Sequence, residues 1–175
     1  MTKEFVLYPV AFTLGAISVQ PNRSLNFFVL YKMLERVFRS SNDLKKRFED
    51  ELKAYAQSRD SRIFIAGNPQ VPISCEFLLS PGLPISTSCF ADMADSFILG
   101  VLVRHHSPLV QVSEVRQRVE FLWRFPVVRN QFYDRIEDLI QSGLVVIHDR
   151  TEDTDQRFMS LPDDALLLGE MLATR

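Results

Sequence analysis

The stretch RNQFYDRIEDLIQSGLVVIHDRTEDTDQRFMSL, residues 129–161, decides the fold of the C-terminal half. Its first part carries apolar side chains at helical spacing, namely Phe132, Ile136, Leu139 and Ile140. This spacing predicts an amphipathic helix over residues 129–141. Gly143 follows directly, and glycine favours the left-handed backbone conformation that commonly closes a helix.

Two strands are predicted after this glycine, at residues 144–147 and 157–161, with a polar tip at 149–156 between them. A helix capped by Ser113 precedes the stretch and carries Val115, Val119 and Leu122. Helix, helix, glycine, strand, polar tip, strand is the order of a winged-helix unit. We therefore expect residues 89–175 to be winged-helix-like, starting with an apolar helix near residues 90–103.

Residues 1–61 are predicted to be helical. Three apolar stripes at helical spacing begin at Leu7, Phe27 and Leu44. The sequence Gln20-Pro21-Asn22 separates the first two stripes, and Ser24 is the expected N-cap of the second helix. The first stripe lies in an apolar run, residues 5–19, which is too short to span a membrane and predicts a buried helix.

Residues 62–88 are expected to form an extended or hairpin arm that links the helical halves. Gly67-Asn68-Pro69 is a turn signal, and Pro72 would confine a strand at residues 71–79 to a sheet edge. The predicted fold class is therefore mainly α with a small β component. Because the N-terminal stripes are broad and need a partner face, we expect one compact unit. No internal repeat is evident in the sequence.

Composition places the chain among ordinary globular proteins. Its 175 residues are 46% hydrophobic and 24% charged, and its formal net charge is −2. Two cysteines cannot make a disulfide framework, and they fit the reducing compartment of an intracellular protein. No transmembrane segment is expected, so contact with a membrane would be peripheral.

Charge argues against nucleic acid as the partner of the winged-helix-like part. From Ser113 onward there are eight Lys/Arg and twelve Asp/Glu, whereas a surface that follows phosphates needs the opposite balance. We therefore expect a protein partner, and the candidate partner-binding residues are Arg129, Arg135 and Arg150 on the last helix and the polar tip.

No catalytic, cofactor-binding or metal-binding residue is predicted. His148 and Asp153 have the H-x4-D spacing of acyltransferases, in which an aspartate orients a histidine base, but a two-residue match arises easily by chance. His105 and His106 are adjacent and point apart on a helix, so they cannot bind one metal together. Cys75 and Cys89 lack a base at a recognisable spacing.

Three longer stretches resemble the region that follows the catalytic domain in glycerol-3-phosphate and dihydroxyacetone-phosphate acyltransferases. They are YPVAFTLGAISVQPNRSLNFFVLYKMLERVF, DSFILGVLVRHHSPLVQVSEVRQRVEFLWRFPV, and FYDRIEDLIQSGLVVIHDRTED with FMSLPDDALLLGEMLA. The downstream arginine block and the F-P-E-G-type phosphate-binding block of that family are absent from the sequence. The resemblance therefore implies a non-catalytic relative of these enzymes, and no catalytic residue transfers to this chain.

These observations predict a non-catalytic structural or protein-interaction subunit of a larger assembly, with a lipid acyltransferase assembly as the setting that the resemblance implies. Two alternatives stay open at this point. One is a nucleic-acid-binding winged-helix protein, and the other is an acyltransferase enzyme that uses His148 as its base.

Overall fold

The computed structural model describes residues 7–38, 42–59, 61–67, 76–79, 90–105, 107–123, 129–148 and 151–162. In these ranges the chain is mainly helical, and six short strands form two antiparallel sheets. This confirms the predicted fold class.

The two halves of the described chain have the same order of elements. The first half contains α1 (Pro9–Ser18), β1 (Ser24–Asn26), α2 (Phe27–Val37), α3 (Asn42–Ala56), β2 (Ile63–Ala66) and β3 (Glu76–Leu79). The second half contains α4 (Phe90–Arg104), β4 (Val110–Gln111), α5 (Val112–Trp123), α6 (Arg129–Gln141), β5 (Val146–His148), a 3-10 helix (Thr154–Gln156) and β6 (Phe158–Ser160).

Each half forms one three-stranded antiparallel sheet whose last strand lies in the centre. In the first sheet β3 pairs with both β1 and β2, which places Phe77 between Leu25 and Ile65. In the second sheet β6 pairs with β4 and β5 in the same way. The strand order is therefore first, third, second in both halves.

The hairpin expected within residues 62–88 is present as β2 and β3. The expectation of an edge strand, which rests on Pro72, is wrong for the described part of the strand, because β3 is central. Pro72 itself lies outside the described residues, as does the turn at residues 80–82. Since β3 also pairs with β1, this hairpin belongs to the sheet of the first half.

Equivalent core positions of the two halves lie 85 positions apart in their first three elements. The buried pairs are Leu25 and Val110, Phe27 and Val112, Leu30 and Val115, and Leu34 and Val119. The structure thus contains an internal repeat that the sequence does not make evident, because most of the paired side chains differ in size and type.

The two halves pack through α1 and α4, and a glycine on each helix permits the close approach. A Cβ added at Gly15 would lie 2.1 Å from the carbonyl oxygen of Phe97, and one added at Gly100 would lie 2.1 Å from that of Phe12. These contacts are reciprocal, as in an interface related by a two-fold axis. The sequences FTLG and FILG, which end at Gly15 and Gly100, carry this packing.

The apolar N-terminal run forms a buried helix, as expected. Eight of the ten residues of α1 are buried, and Pro9 occupies its first turn. The ring of Phe12 packs edge-on against Phe38 and Phe48, with centroids 6.1 and 5.9 Å apart. No helix in the described part of the chain is long and apolar enough to cross a membrane.

Local signals were partly right about where elements begin and end. Gly143 has a φ of +72°, which confirms the left-handed conformation expected after α6. Ser24 lies in β1 and does not cap α2; the cap is Asn26, whose side chain accepts a hydrogen bond from Val29 N at 2.8 Å. The strand predicted at residues 144–147 begins two residues later, at Val146.

Candidate functional site

Of the three predicted partner-binding arginines, only Arg135 has a described side chain. Arg135 lies on α6 and pairs with Asp138 one turn later, with Nη2 and Oδ2 2.5 Å apart. Arg129 begins α6, and its side chain is not described, while Arg150 lies outside the described residues. Docking through these arginines therefore stays a prediction.

The polar tip between β5 and β6 is tied to the helices by a cluster that we call the latch: Arg116, Glu120, Tyr133 and Asp155. Arg116 donates two hydrogen bonds to Asp155, Nε to Oδ1 at 3.1 Å and Nη2 to Oδ2 at 2.9 Å, and it also contacts Glu120. The Tyr133 hydroxyl donates to Asp155 Oδ1 at 2.6 Å. The hydrogen bonds from Arg116 to Asp155 raise the pKa of the guanidinium above its usual value. The 3-10 helix is thereby held against α5 and α6.

The outer face of the second hairpin is partly apolar. Strand pairing places Val146 opposite Ser160 and His148 opposite Phe158, all on one face of the sheet. Val146 is 39% and Phe158 38% exposed, whereas Met159, on the other face, is fully buried.

The first hairpin has an exposed aromatic side chain at the equivalent place. Phe64 is 63% exposed in a strand, Ile-Phe-Ile-Ala, that carries no charge. It lies opposite Leu78 in register, as Val146 lies opposite Ser160, so both hairpins present apolar side chains on the same strand face. We call these two surfaces the hairpin faces: Phe64 in the first half, and Val146 and Phe158 in the second.

The histidines do not form the chemistry that their spacing suggests. His148 Nε2 lies 2.7 Å from Ser160 Oγ, while Asp153 caps the 3-10 helix by accepting from Asp155 N. Asp153 therefore does not orient His148. His105 contacts Glu114, and His106 lies outside the described residues. Among the described residues no group of three His, Cys, Asp or Glu is placed to hold a metal ion.

A groove of about 260 Å³, which we call the seam groove, lies where the end of α1 and the following turn meet α5. Its lining residues come from both halves: Ser18, Arg23, Glu114, Gln117, Arg118 and Phe121. Arg118 joins the halves, because Nη1 donates to Ser18 O at 2.6 Å while Nη2 donates to Glu114 Oε1 at 2.8 Å. A cation at the last turn of α1 also interacts favourably with the helix dipole.

The repeat supplies a matching contact on the other side of the molecule. Arg36 of α2 donates through Nη1 to Val103 O, in the last turn of α4, at 3.1 Å. Each half therefore uses an arginine of its second helix to bind the C-terminal end of the first helix of the other half. These contacts and the glycine crossing fix how the halves sit together.

Glu114 is the carboxylate among the lining residues of the seam groove named above. Its Oε1 accepts from Arg118 and lies 2.8 Å from His105 Nε2, whose ring is almost fully buried. Partial burial acts to raise the pKa of Glu114, but the hydrogen bonds from Arg118 and His105 outweigh it and hold the pKa below its usual value. Glu114 is therefore ionised and paired at neutral pH.

Arg23 stands at the mouth of the groove in a backbone conformation that non-glycine residues seldom adopt, with φ of +52°. Its guanidinium lies over the ring of Phe121, 5.3 Å from the centroid, and Phe121 is 56% exposed. The guanidinium is attracted to the face of the ring, and arginine and aromatic residues are each enriched in protein interfaces. Sequence reasoning did not single out Arg23 and Phe121, because their contact depends on tertiary packing. It missed Phe64 because the exposure of this side chain depends on which face of β2 is covered.

No protein-family model matches the chain, and no curated protein matches its sequence significantly.

Proposed function

We propose that the chain is a non-catalytic protein-interaction subunit built from two winged-helix units, with the hairpin faces as its partner-binding surfaces. The order helix, strand, helix, helix, hairpin, with the last strand central in the sheet, supports the winged-helix interpretation of each half. The resemblance in the sequence suggests a lipid acyltransferase assembly as the setting of this subunit.

The observation that carries the proposal is the exposure of apolar side chains at equivalent places on both hairpins. A single exposed apolar residue is ordinary, but Phe64 and Val146 occupy equivalent places in the two sheets, and Phe158 adds a second exposed apolar side chain to the second hairpin. Aromatic side chains are enriched in protein interfaces, and charged ones are depleted from interface centres. The uncharged strand β2 fits that pattern.

The charges near the last helix disfavour nucleic acid. Asp134, Glu137 and Asp138 lie on α6, where Arg135 is paired with Asp138. The latch also binds the polar tip back onto α5 through Asp155. A surface that binds duplex DNA needs unpaired cations that can replace counterions on phosphates.

The test is recovery of the tagged full-length chain from its native source under mild conditions, followed by mass spectrometry. The wild type is compared with the double variant Phe64→Ser/Phe158→Ser and with Phe28→Ser, an equally accessible aromatic side chain on α2 that is 52% exposed. We expect a fixed set of proteins with the wild type and Phe28→Ser. With the double variant we expect a loss of roughly thirtyfold, since the two lost apolar contacts cost about 1 kcal/mol each.

Three results would contradict this proposal. Recovery of the same proteins with the double variant would show that the hairpin faces do not bind them. Salt-dependent binding of the purified chain to duplex DNA would establish the nucleic-acid alternative. Acyl transfer that disappears on His148→Ala would establish the enzyme.

The predicted arginine surface is tested separately by charge reversal at Arg129, Arg135 and Arg150. If this surface contributes, the triple change to glutamate weakens partner recovery while the far-UV circular dichroism spectrum stays unchanged. Unchanged recovery with an intact fold would show that partners do not dock through these arginines.

A further inference from the structure

The seam groove carries recognition groups that the fold itself does not require. The repeat places Val29, Lys32, Arg36 and Pro108 at the positions equivalent to Glu114, Gln117, Phe121 and Arg23. The opposite side of the molecule therefore has no aromatic ring and arginine at these positions, although a lysine, Lys32, lies over the exposed ring of Phe28 there, 5.8 Å from the centroid. Since both sides pack the same helices, the pair at the seam groove is not needed to hold the halves together.

The guanidinium of Arg23 forms no ion pair with a described residue. Within the described residues no carboxylate contacts its guanidinium, which has only the ring of Phe121 beneath it. The backbone of the turn is held in place, because Arg23 N donates to Gln20 O at 3.1 Å and Ser24 N donates to Asn22 Oδ1 at 3.3 Å. The cation is therefore presented from an ordered turn.

The carboxylate in the groove does not cancel this charge. Glu114 is compensated by Arg118, which also reaches the C-terminal end of α1. Arg23 is then left as the net charge of the groove, beside the exposed side-chain amide of Gln117. An arginine with an amide donor nearby suits a carboxylate, and the exposed face of Phe121 suits an apolar group attached to it.

We propose that the seam groove binds an acidic residue and an adjacent apolar side chain in an extended segment of a partner protein. Arg23 and Gln117 would donate to the carboxylate, and the apolar side chain would pack on Phe121. The volume of about 260 Å³ fits two side chains and is small for a whole cofactor. This proposal rests on the interaction role proposed above, to which it adds the chemistry of one partner segment.

The test uses two blocked dipeptides as probes, acetyl-Glu-Leu-amide and acetyl-Gln-Leu-amide, titrated into the full chain and followed by nuclear magnetic resonance. We expect saturable shifts of the Gln117 side-chain amide and the Phe121 ring with the glutamate probe. Binding should be roughly tenfold weaker with the glutamine probe and with Arg23→Gln, because a hydrogen bond to a charged group is lost in each case. Lys46→Gln removes an exposed cation on α3 and is the matched control, with unchanged binding expected.

Phe121→Ser separates the two parts of the site. It should weaken the binding of both probes and leave the preference for the glutamate probe unchanged. An unchanged amide spectrum away from the groove shows that each variant is folded. Equal binding of the two probes, or equal binding by Arg23→Gln, would overturn the proposal. Binding of adenosine monophosphate in place of either peptide, with the same dependence on Arg23, would assign the groove to a nucleotide and overturn it as well.

Failure of the seam-groove proposal can be distinguished from failure of the interaction role proposed for the hairpin faces. If the hairpin-face variants lose their partners while neither probe binds, the subunit role holds and the seam groove is not part of it. If the glutamate probe binds but partners persist in the hairpin-face variants, the groove stands and the hairpin faces are the wrong surfaces.

Discussion

At the residue scale, Gly15 and Gly100 are the positions on which the pairing of the halves depends most directly. Gly15→Ala and Gly100→Ala should each lower the free energy of unfolding by roughly 3 kcal/mol, because the new methyl group would overlap a backbone carbonyl that cannot move aside alone. Alanine would otherwise favour a helix by about 1 kcal/mol, so the predicted sign is itself informative. Urea denaturation followed by circular dichroism measures both variants.

Gly143→Ala is the matched control for this prediction. A Cβ at Gly143 meets nothing within 4 Å, and the cost there arises only from its positive φ, about 1 kcal/mol. If Gly15→Ala and Gly100→Ala cost no more than Gly143→Ala, the close crossing of α1 and α4 is wrong.

Glu114 gives the seam a pH dependence whose sign follows from its lowered pKa. A carboxyl group whose pKa is lower in the folded than in the unfolded chain stabilises the fold when ionised, and this stabilisation is lost as pH falls through the folded pKa. Glu114→Gln should therefore show a shallower loss of stability than the wild type between about pH 5 and pH 3. Urea denaturation across this range measures it, with the exposed Glu137→Gln as control. A wild-type slope in Glu114→Gln would contradict the contacts with Arg118 and His105.

Single residues were predictable where local backbone chemistry decides their role. The left-handed conformation of Gly143 follows from its place after a helical stripe, and it is observed. Arg23 and Phe121 lie almost a hundred positions apart in the sequence. Their side chains come into contact only because α5 packs beside the turn after α1. No local pattern contains that information.

At the element scale, α3 and α6 have the same role in their halves, and each is anchored by one phenylalanine. Phe48 and Phe132 are both fully buried. Phe132→Ala should lower the free energy of unfolding by about 3–5 kcal/mol, and Phe48→Ala by a similar amount, since each leaves a large cavity. Denaturant melts measure both, and a near-neutral result for either would mean that its helix does not face the core.

The latch gives the polar tip its position. Asp155→Asn should lower stability by about 1–3 kcal/mol, because Arg116 would lose one of its two carboxylate partners in a mostly buried place and keep only Glu120. Amide hydrogen exchange should quicken at Gln156 and Arg157, whose N–H groups close the 3-10 helix. Asp134→Asn, at an exposed site on α6, is the control. Unchanged exchange at the tip in Asp155→Asn would show that the latch does not hold it.

Elements with long periodic patterns were predicted better than short ones. The bounds of α6 follow directly from its apolar stripe and Gly143. The three residues of β1 and the two of β4 are too short to show alternation, and they become strands only because β3 and β6 pair with them. The proline rule gave the wrong place for β3, because the strand as described begins at Glu76 and pairs on both sides.

At the scale of the whole molecule, the internal repeat relates helices and strands that the sequence patterns predicted only one by one. Two units with the same strand order meet through α1 and α4, and each sends an arginine to the helix end of the other. The pairs that preserve this arrangement, such as Phe27 and Val112, keep their burial but not their identity. The hydrophobic pattern therefore predicts the fold class, whereas the symmetry is not visible as residue identity.

The measurement that tests the interaction role most directly is amide hydrogen exchange of the chain, alone and in the assembly recovered from its native source. We predict slower exchange in the assembly at residues 63–66 of the first hairpin and at 146–148 and 158–160 of the second. The control region is α1, whose amides are already buried and should not change. Partner-bound chain with unchanged exchange at both hairpins would contradict the role proposed for the hairpin faces.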